Sequence, residues 1–594
     1  MGLSHLWTPL AQAAQTPLSA LDLALANALQ ARQPSADVRH RWLAALVSHQ
    51  WSQGHACLRL DALARAPAAL LAWNDAAVQA LPEALAEAAR DLPWCVGAGS
   101  PLVWSEDGQR LYLRRAWQAE QHIRAAVRAR ADTPLSLPVG WQDRLDALFP
   151  ASASTAPGTQ GQRQACAIAA QHSLSLITGG PGTGKTTTVA RLLALLLGLQ
   201  PELRIALAAP TGKAAARLGE SIGAALSTLP ATVRARIPTQ AQTLHRWLQV
   251  GHETAPRLSV DVVIVDEASM IDLEMMARLL QAVPAQARLV LLGDRDQLAS
   301  VEAGAVMAQL CDMHELAGCT VRLTHSHRFD PARGIGRWAQ AVQNSDPPDA
   351  VSALWAATPG LPDAHAPWPD VTRLDANPSD AQWTQLLQHG WRDWRARLAA
   401  LAQPRAVDDA TALALLHDFA RFGVLCATRE GPQGVARMTR RVERLLHMPA
   451  ADALGWYSGR PVMVTRNDPS LGLMNGDIGL CLPHPQGGWR VAFADTDAQG
   501  QARVRWLQAA RLGPVETVWA MTVHKSQGSE FAQVLLVLPE QMSPVLTREL
   551  VYTGLTRARE RLTLWAPNGA VLPQACKQRV VRSGGLVAPR DPAP

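Results

Sequence analysis

The sequence predicts an α/β protein with two parallel-sheet domains, a small β insertion in the second of them, and a helical N-terminal region. Three observations carry that expectation. From Gln162 to about Gln343, short apolar runs alternate with helical patterns: SLSLITG, LRIALAAP, VDVVIVDE and ARLVLLGD. Continuous apolar strands separated by helices mark a parallel sheet buried on both faces. A second such segment covers roughly 410–594, with FGVLCAT, AQVLLVLP and RLTLWA as its strands. Inside it, GRPVMVTRND, GLMNGDIGLCL and WRVAFA alternate like antiparallel strands, and Asn475-Gly476 is a tight-turn signal.

In chain order, residues 1–115 are Ala/Leu-rich and helical, with tryptophans at 7, 42, 51, 73, 94 and 104 and nothing catalytic. Residues 116–161 read as a linker that ends in PASASTAPGTQG, a stretch dominated by Pro, Ser, Thr and Gly. The first sheet domain spans 162–345 and the second 346–594, with the β insertion at about 455–515. The second opens on a Pro/Asp-rich stretch, about 344–380, with little pattern.

Composition narrows the class. With 48% hydrophobic and 18% charged residues the 594-residue chain is not wholly disordered, and no run reaches the ~18 apolar residues of a membrane span. MGLSHLWTPLAQAAQ lacks the basic-then-apolar layout of a secretory signal. The eight cysteines are scattered without a CxxC pair, which argues against a disulfide framework or a cysteine zinc site and for a reducing, cytoplasmic setting. A net charge of +6 gives mild support for a polyanionic partner. The basic residues are split unevenly: only Lys185, Lys213, Lys525 and Lys577 are lysine among 56. A chain so rich in arginine keeps lysine where a compact ammonium is needed, and three of the four fall within motifs.

The run Gly179, Gly180, Pro181, Gly182, Thr183, Gly184, Lys185, Thr186 matches GxxxxGK[ST], with the strand SLSLIT before it and a helix, beginning near Thr187, after it. The glycines let backbone N–H groups wrap phosphates, Lys185 reaches the β/γ-phosphates, and the Thr186 hydroxyl suits Mg²⁺. Asp266 and Glu267 end the apolar strand VVIV about 80 residues later. Phosphoryl transfer needs one acid for the metal shell and one group for the attacking water. Asp266 fits the first role and Glu267 the second. Gly293-Asp-Arg-Asp-Gln297 follows ARLVLL and should reach the same carboxyl edge of the sheet, with Gln297 as γ-phosphate sensor.

The ordered set of motifs resembles superfamily 1 helicases. It comprises Gln162, GGPGTGKT, APTGKAA (209–215), Thr243-Leu-His245, DEAS (266–269), GDRDQL, HRF (327–329), TVHKSQGSE (522–530) and VYTGLTRAR (551–559). More narrowly, GHACLRL (54–60), LYLRRAWQAE (111–120), CATREGPQGV (426–435) and GRPVMVTRNDPSLGLMNGDIG (459–479) resemble the RecD family, alpha subunits of bacterial exodeoxyribonuclease V. One departure is His327, where the family often has Tyr. The resemblance implies two RecA-like motor domains and an SH3-like β insertion. It also implies ATP and Mg²⁺ as cofactors, Gln162 on the adenine side, and Arg328 and Arg557 as arginine fingers. Thr211, Lys213, His245, Thr522, His524 and Lys525 are implied as single-strand contacts or coupling residues, and translocation as 5′→3′.

Three readings of function follow. The chain is a DNA helicase subunit with RecB-like and RecC-like partners, with 1–115 as the docking module; or a stand-alone RecD-like helicase; or an ATP-driven scaffold. Stand-alone relatives carry a longer N-terminal extension with tandem helix-hairpin-helix elements, and residues 1–150 hold none. A scaffold would be free to lose Glu267 or Arg557. No lysine has an acid two residues before it, so the Asp/Glu-x-Lys pattern of the partner's type of nuclease is absent, and cleavage is assigned to a partner.

Overall fold

The structure is a computed structural model that describes residues 16–131, 134–149, 158–226, 231–252, 255–344, 349–362, 367–401, 407–484, 486–497 and 501–587. Trp7 and residues 150–157 of the expected boundary loop lie outside the described residues.

The N-terminal region opens with helix Ala20–Arg32, closed at its start by a reciprocal capping box between Ser19 and Asp22, and helix Val38–Ser52 packs against it. A three-stranded antiparallel sheet follows, in which Arg110–Leu113 lies between Leu58–Arg59 and Leu102–Trp104. Trp42, Trp73 and Trp94 are buried in this core, and Trp51 and Trp104 are half-buried. None of the five described tryptophans of this region stands free in solvent.

The stretch 116–161 differs from the expected linker. Helix Arg114–Ala131 runs through it and buries Ala116, Ala119, Ile123 and Val127 against the first sheet domain. Those positions recur at helical spacing, so the apolar face was present in the sequence but diluted by five arginines. Arg130 anchors the end of the helix: its buried guanidinium donates to the carbonyls of Ser173 and Ala287 (both 3.0 Å) and of Val283 (2.9 Å).

The first large sheet has six parallel strands, in the order Gln242–Thr243, Ile205–Ala209, Val262–Val265, Arg288–Gly293, Leu174–Gly179 and Thr320–Leu323. Its three central strands are buried throughout, which is why they read as unbroken apolar runs. The second sheet has five parallel strands: Val371–Arg373, Ala558–Trp565, Phe531–Val537, Phe422–Cys426 and Met521–Thr522. Its edge strand Val371–Arg373 and helix Asp349–Ala357 come from the low-pattern stretch. A five-stranded antiparallel sheet interrupts this domain, ordered Ala502–Gln508, Trp489–Thr496, Ile478–Pro483, Pro461–Val464, Val515–Thr517. Trp391, Trp394 and Phe419 each pack edge to face on Trp519 in the core beneath it, and Trp519 donates to the Tyr457 hydroxyl (2.8 Å) at the root of the insertion.

Residues 580–586 do not stay with the second sheet. Arg582 donates to the Ser300 carbonyl (3.1 Å), Ala56 N to Ser583 O (2.7 Å), and Gly585 N to the buried Glu120 carboxylate (2.8 Å). Residues 580–586 therefore tie both sheet domains to the N-terminal region.

Candidate active site

Strand Leu174–Gly179 delivers the chain to the glycine-rich loop, and helix Lys185–Leu199 leaves it. Gly182 (φ +76°) and Gly184 (φ +83°) hold left-handed backbone that side chains resist. A Cβ on Gly182 would collide with Arg328, and one on Gly184 with the Gln162 amide. Lys185 Nζ donates to the carbonyls of Gly179 (2.6 Å) and Gly180 (3.1 Å), which keeps the ammonium inside the loop.

A cavity of about 650 Å³ opens on the helix side of this loop. Gln162, Pro181, Gly182, Thr183, Gly184, Lys185, Thr186 and Thr187 line one wall. Gly179 and Gly180 instead face a smaller cavity of about 390 Å³ on the other side of the loop. Gln162, buried on helix Thr159–Gln171, donates to Thr183 O (3.4 Å) and accepts from Arg191 (3.0 Å).

The opposite wall is acidic. Asp266 and Glu267 leave strand Val262–Val265 together, Glu267 at φ +52°, and Glu267 N donates to Asp266 Oδ1 (2.8 Å). Burial and the neighbouring Glu267 charge push Asp266 up to about 6. Two crowded carboxylates and a threonine hydroxyl form a hard oxygen set that suits a small divalent cation.

The two sheet domains meet across this cavity. Arg557, fully buried, donates to Gln297 Oε1 (2.9 Å) and to the carbonyls of Ser529 and Thr553 (both 3.2 Å). Gln297 in turn donates to Asp294 (3.1 Å), which also accepts from the Tyr552 hydroxyl (3.1 Å). Arg328 reaches from the first domain to Glu530 of the second (2.7 Å). Lys185, Glu267, Gln297, Arg328 and Arg557 thus line one cavity although they are spread over 373 residue positions.

The residues expected at a single strand do not form one cluster. Thr211 accepts from Ala214 N (3.2 Å) and caps helix Gly212–Leu226. Lys213 turns inward to a separate cavity of about 660 Å³, where it meets Gly476 and Asp477 of the β insertion; burial lowers its pKa and Asp477 opposes that shift. The insertion's Met474 lies tight against Gly212. Thr522 and Lys525 are together, Thr522 Oγ1 accepting from Lys525 N (3.2 Å), while Lys525 Nζ pairs with Glu516 (2.8 Å). His245 is exposed on the first domain. His524 is half-buried near Arg582, and its pKa is lowered by burial and then by that charge.

Residues 158–358 match the family described as "AAA domain", 517–565 "UvrD-like helicase C-terminal domain", and 14–112 "RecBCD enzyme subunit RecD, N-terminal domain". Over 524 residues the chain is 40% identical to the RecBCD enzyme subunit RecD of Mycolicibacterium smegmatis, covering 84% of this chain and 87% of the relative. The chain belongs to the RecD family. It is also 32% identical over 505 residues to the ATP-dependent RecD2 DNA helicase of Deinococcus radiodurans, covering 82% of this chain and 60% of that protein. Among solved structures, a Bacteroides Pif1 bound to ssDNA aligns with 68% of this chain and 91% of its own, at 15% identity and a TM-score of 0.35.

For this RecD-family chain the reading from sequence overlooked charged and aromatic residues of the cavity region, among them Arg191, Arg217, Asp294, Glu530 and Tyr552. Arg217 follows Lys213 by one helical turn, so the two share a face of helix Gly212–Leu226. That spacing was the only signal available. Asp294 stood inside GDRDQL and Tyr552 inside VYTGLTRAR, but neither role is visible until both domains are folded.

Proposed function

We propose that this chain is an ATP-dependent 5′→3′ DNA helicase subunit that works with RecB-like and RecC-like partners in the cytoplasm. There it unwinds duplex ends for double-strand break repair by homologous recombination and for DNA degradation. The observation that carries the reading is the single cavity to which the phosphate loop, the Asp266–Glu267 pair and arginines from both motor domains contribute. Among the described residues no helix is long and apolar enough to cross a membrane.

In this mechanism the loop amides and Lys185 bind the phosphates of ATP. Thr186 and Asp266 would hold Mg²⁺, which neutralises charge on the β/γ-phosphates when bound. Glu267 takes the proton of the attacking water, and Gln297 senses the γ-phosphate through its bonds to Asp294 and Arg557. Arg328 and Arg557 stabilise the charge that spreads over the transferred group. Because these groups belong to different domains, binding draws the domains together, and hydrolysis lets them part. That cycle moves the chain along one strand. Residues 1–115 dock the partner, 162–345 and 346–594 are the two motors, and the insertion at about 455–515 joins Thr211, Lys213, His245, Thr522, His524 and Lys525 in guiding the strand.

Co-purification from native cells with untagged partners tests the assembly: recovery of the chain alone favours a stand-alone helicase. Binding to oligo(dT) should weaken as salt rises, by about 0.7 in log K per log salt for each phosphate neutralised, and without strong sequence preference. A flat titration rules out a strand-tracking channel. The isolated chain should not degrade linear duplex in ATP and Mg²⁺. Acid-soluble nucleotides that disappear in a Lys185 variant would place a nuclease in this chain after all.

A further inference from the structure

Four charged side chains from both motor domains converge at the floor of the cleft. Glu530 precedes strand Phe531–Val537, and its Oε1 accepts from Arg328 Nη1 (2.7 Å) and from the Arg217 guanidinium. Its other oxygen lies 3.9 Å from Arg559 Nε. Arg217 and Arg328 belong to the first domain, Glu530 and Arg559 to the second. The Glu530 side chain is only 13% exposed, and Arg217, Arg328 and Glu530 all line the cavity that holds Lys185 and Glu267. Burial alone would raise the pKa of Glu530, but the charges of Arg217 and Arg328 outweigh it and hold the group at about 2. The two guanidiniums favour the ionised carboxylate.

We propose that Glu530 is an internal anion that exchanges with the γ-phosphate of ATP for Arg328, and that Arg217 retains Glu530 when Arg328 leaves. This rests on the reading of the cavity as the ATP site. A guanidinium in a half-buried cleft is poorly placed without a counter-charge, and a carboxylate and a phosphate compete for the same planar fork. Glu530 therefore keeps Arg328 beside the phosphate loop between nucleotides. Once the γ-phosphate takes Arg328, Glu530 would be stranded in the cleft were Arg217 not already bonded to it and Arg559 within reach. The exchange gives one of the two arginines on Glu530 to the nucleotide, while the other, Arg217, keeps the two domains joined as they close. Both Glu530 and Arg217 are positioning residues.

The test is a pair of variants with opposite signatures, measured on the full-length chain with single-stranded DNA present. Glu530→Gln removes the competitor: the KM for ATP should fall about fivefold, and kcat should fall because product leaves a more cationic cleft slowly. Arg217→Gln leaves Glu530 to Arg328, so KM should rise about fivefold. Equilibrium ATP binding in a Glu267→Gln background should move the same two ways. KM values that are unchanged, or that shift in the same direction, overturn the exchange. If Glu530→Gln does not fold, Arg217→Gln decides alone, since its side chain is 35% exposed and a KM at or below that of the parent refutes the proposal. Failure of the ATP-site reading is separate: it appears as undiminished turnover in Lys185→Gln.

Discussion

Lys185→Gln should abolish ATP hydrolysis, with kcat/KM falling about a thousandfold or more, while the fold survives. The ammonium is the only lysine at the cavity and sits at the first position of its helix, 2.6 Å from Gly179 O and 3.1 Å from Gly180 O. Its charge is held inside the glycine-rich loop proposed to bind the phosphates. A glutamine amide can keep one of those two bonds, so the loop retains its shape, and the side chain is only half-buried, so no core contact is lost. Phosphate release assays with and without single-stranded DNA, beside a thermal unfolding curve, separate the two effects. Unaltered turnover would remove Lys185 from the site. A collapsed unfolding curve would mean that the lysine is chiefly structural.

Glu267→Gln should bind ATP with Mg²⁺ and hydrolyse it about 10²- to 10⁴-fold more slowly. The two acids occupy different electrostatic positions. Asp266 stands at about 6 because of burial and then the charge of Glu267. Neutralising Glu267 removes the second cause, so Asp266 ionises more readily and its grip on a cation is kept or strengthened. What is lost is the base for the attacking water. Equilibrium binding of a fluorescent ATP analogue, set against single-turnover hydrolysis, reads the two functions apart. Binding that vanishes along with hydrolysis would show that the roles of Asp266 and Glu267 are wrongly divided.

The conformation of the glycine-rich loop was legible because its requirements are local. Gly182 and Gly184 stand where the backbone turns left-handed, Lys185 and Thr186 open a helix, and a buried strand comes before them, all within one short run of sequence. Helix Arg114–Ala131 was missed for the opposite reason. Its apolar face is made partly of alanines and interrupted by arginines, one of which, Arg130, is buried because it finds carbonyls from two distant turns. The turn at Asn475-Gly476 exists, with Gly476 at φ +94°, but it closes a loop against the first domain instead of joining the two strands directly. The inward course of Lys213 brings it to the cavity that this loop lines with Gly476 and Asp477.

Taken alone, the sequence determined the α/β class, the two parallel sheets with their antiparallel insertion, and the glycine-rich loop and acidic pair that both line the cavity. These depend on periodicity and on short motifs, where the backbone conformation of a few neighbouring residues decides the outcome. Folding alone settled which groups face one another: Arg557 and Gln297, Arg217 and Arg328 with Glu530, Lys213 and Asp477 on one cavity, and the Gly585 N–H with Glu120. Each partnership joins residues from separate elements, most from separate domains. A long cation has no preferred partner along the chain, and burial, which strengthens an ion pair and penalises an unpaired charge, exists only once the domains have closed around it.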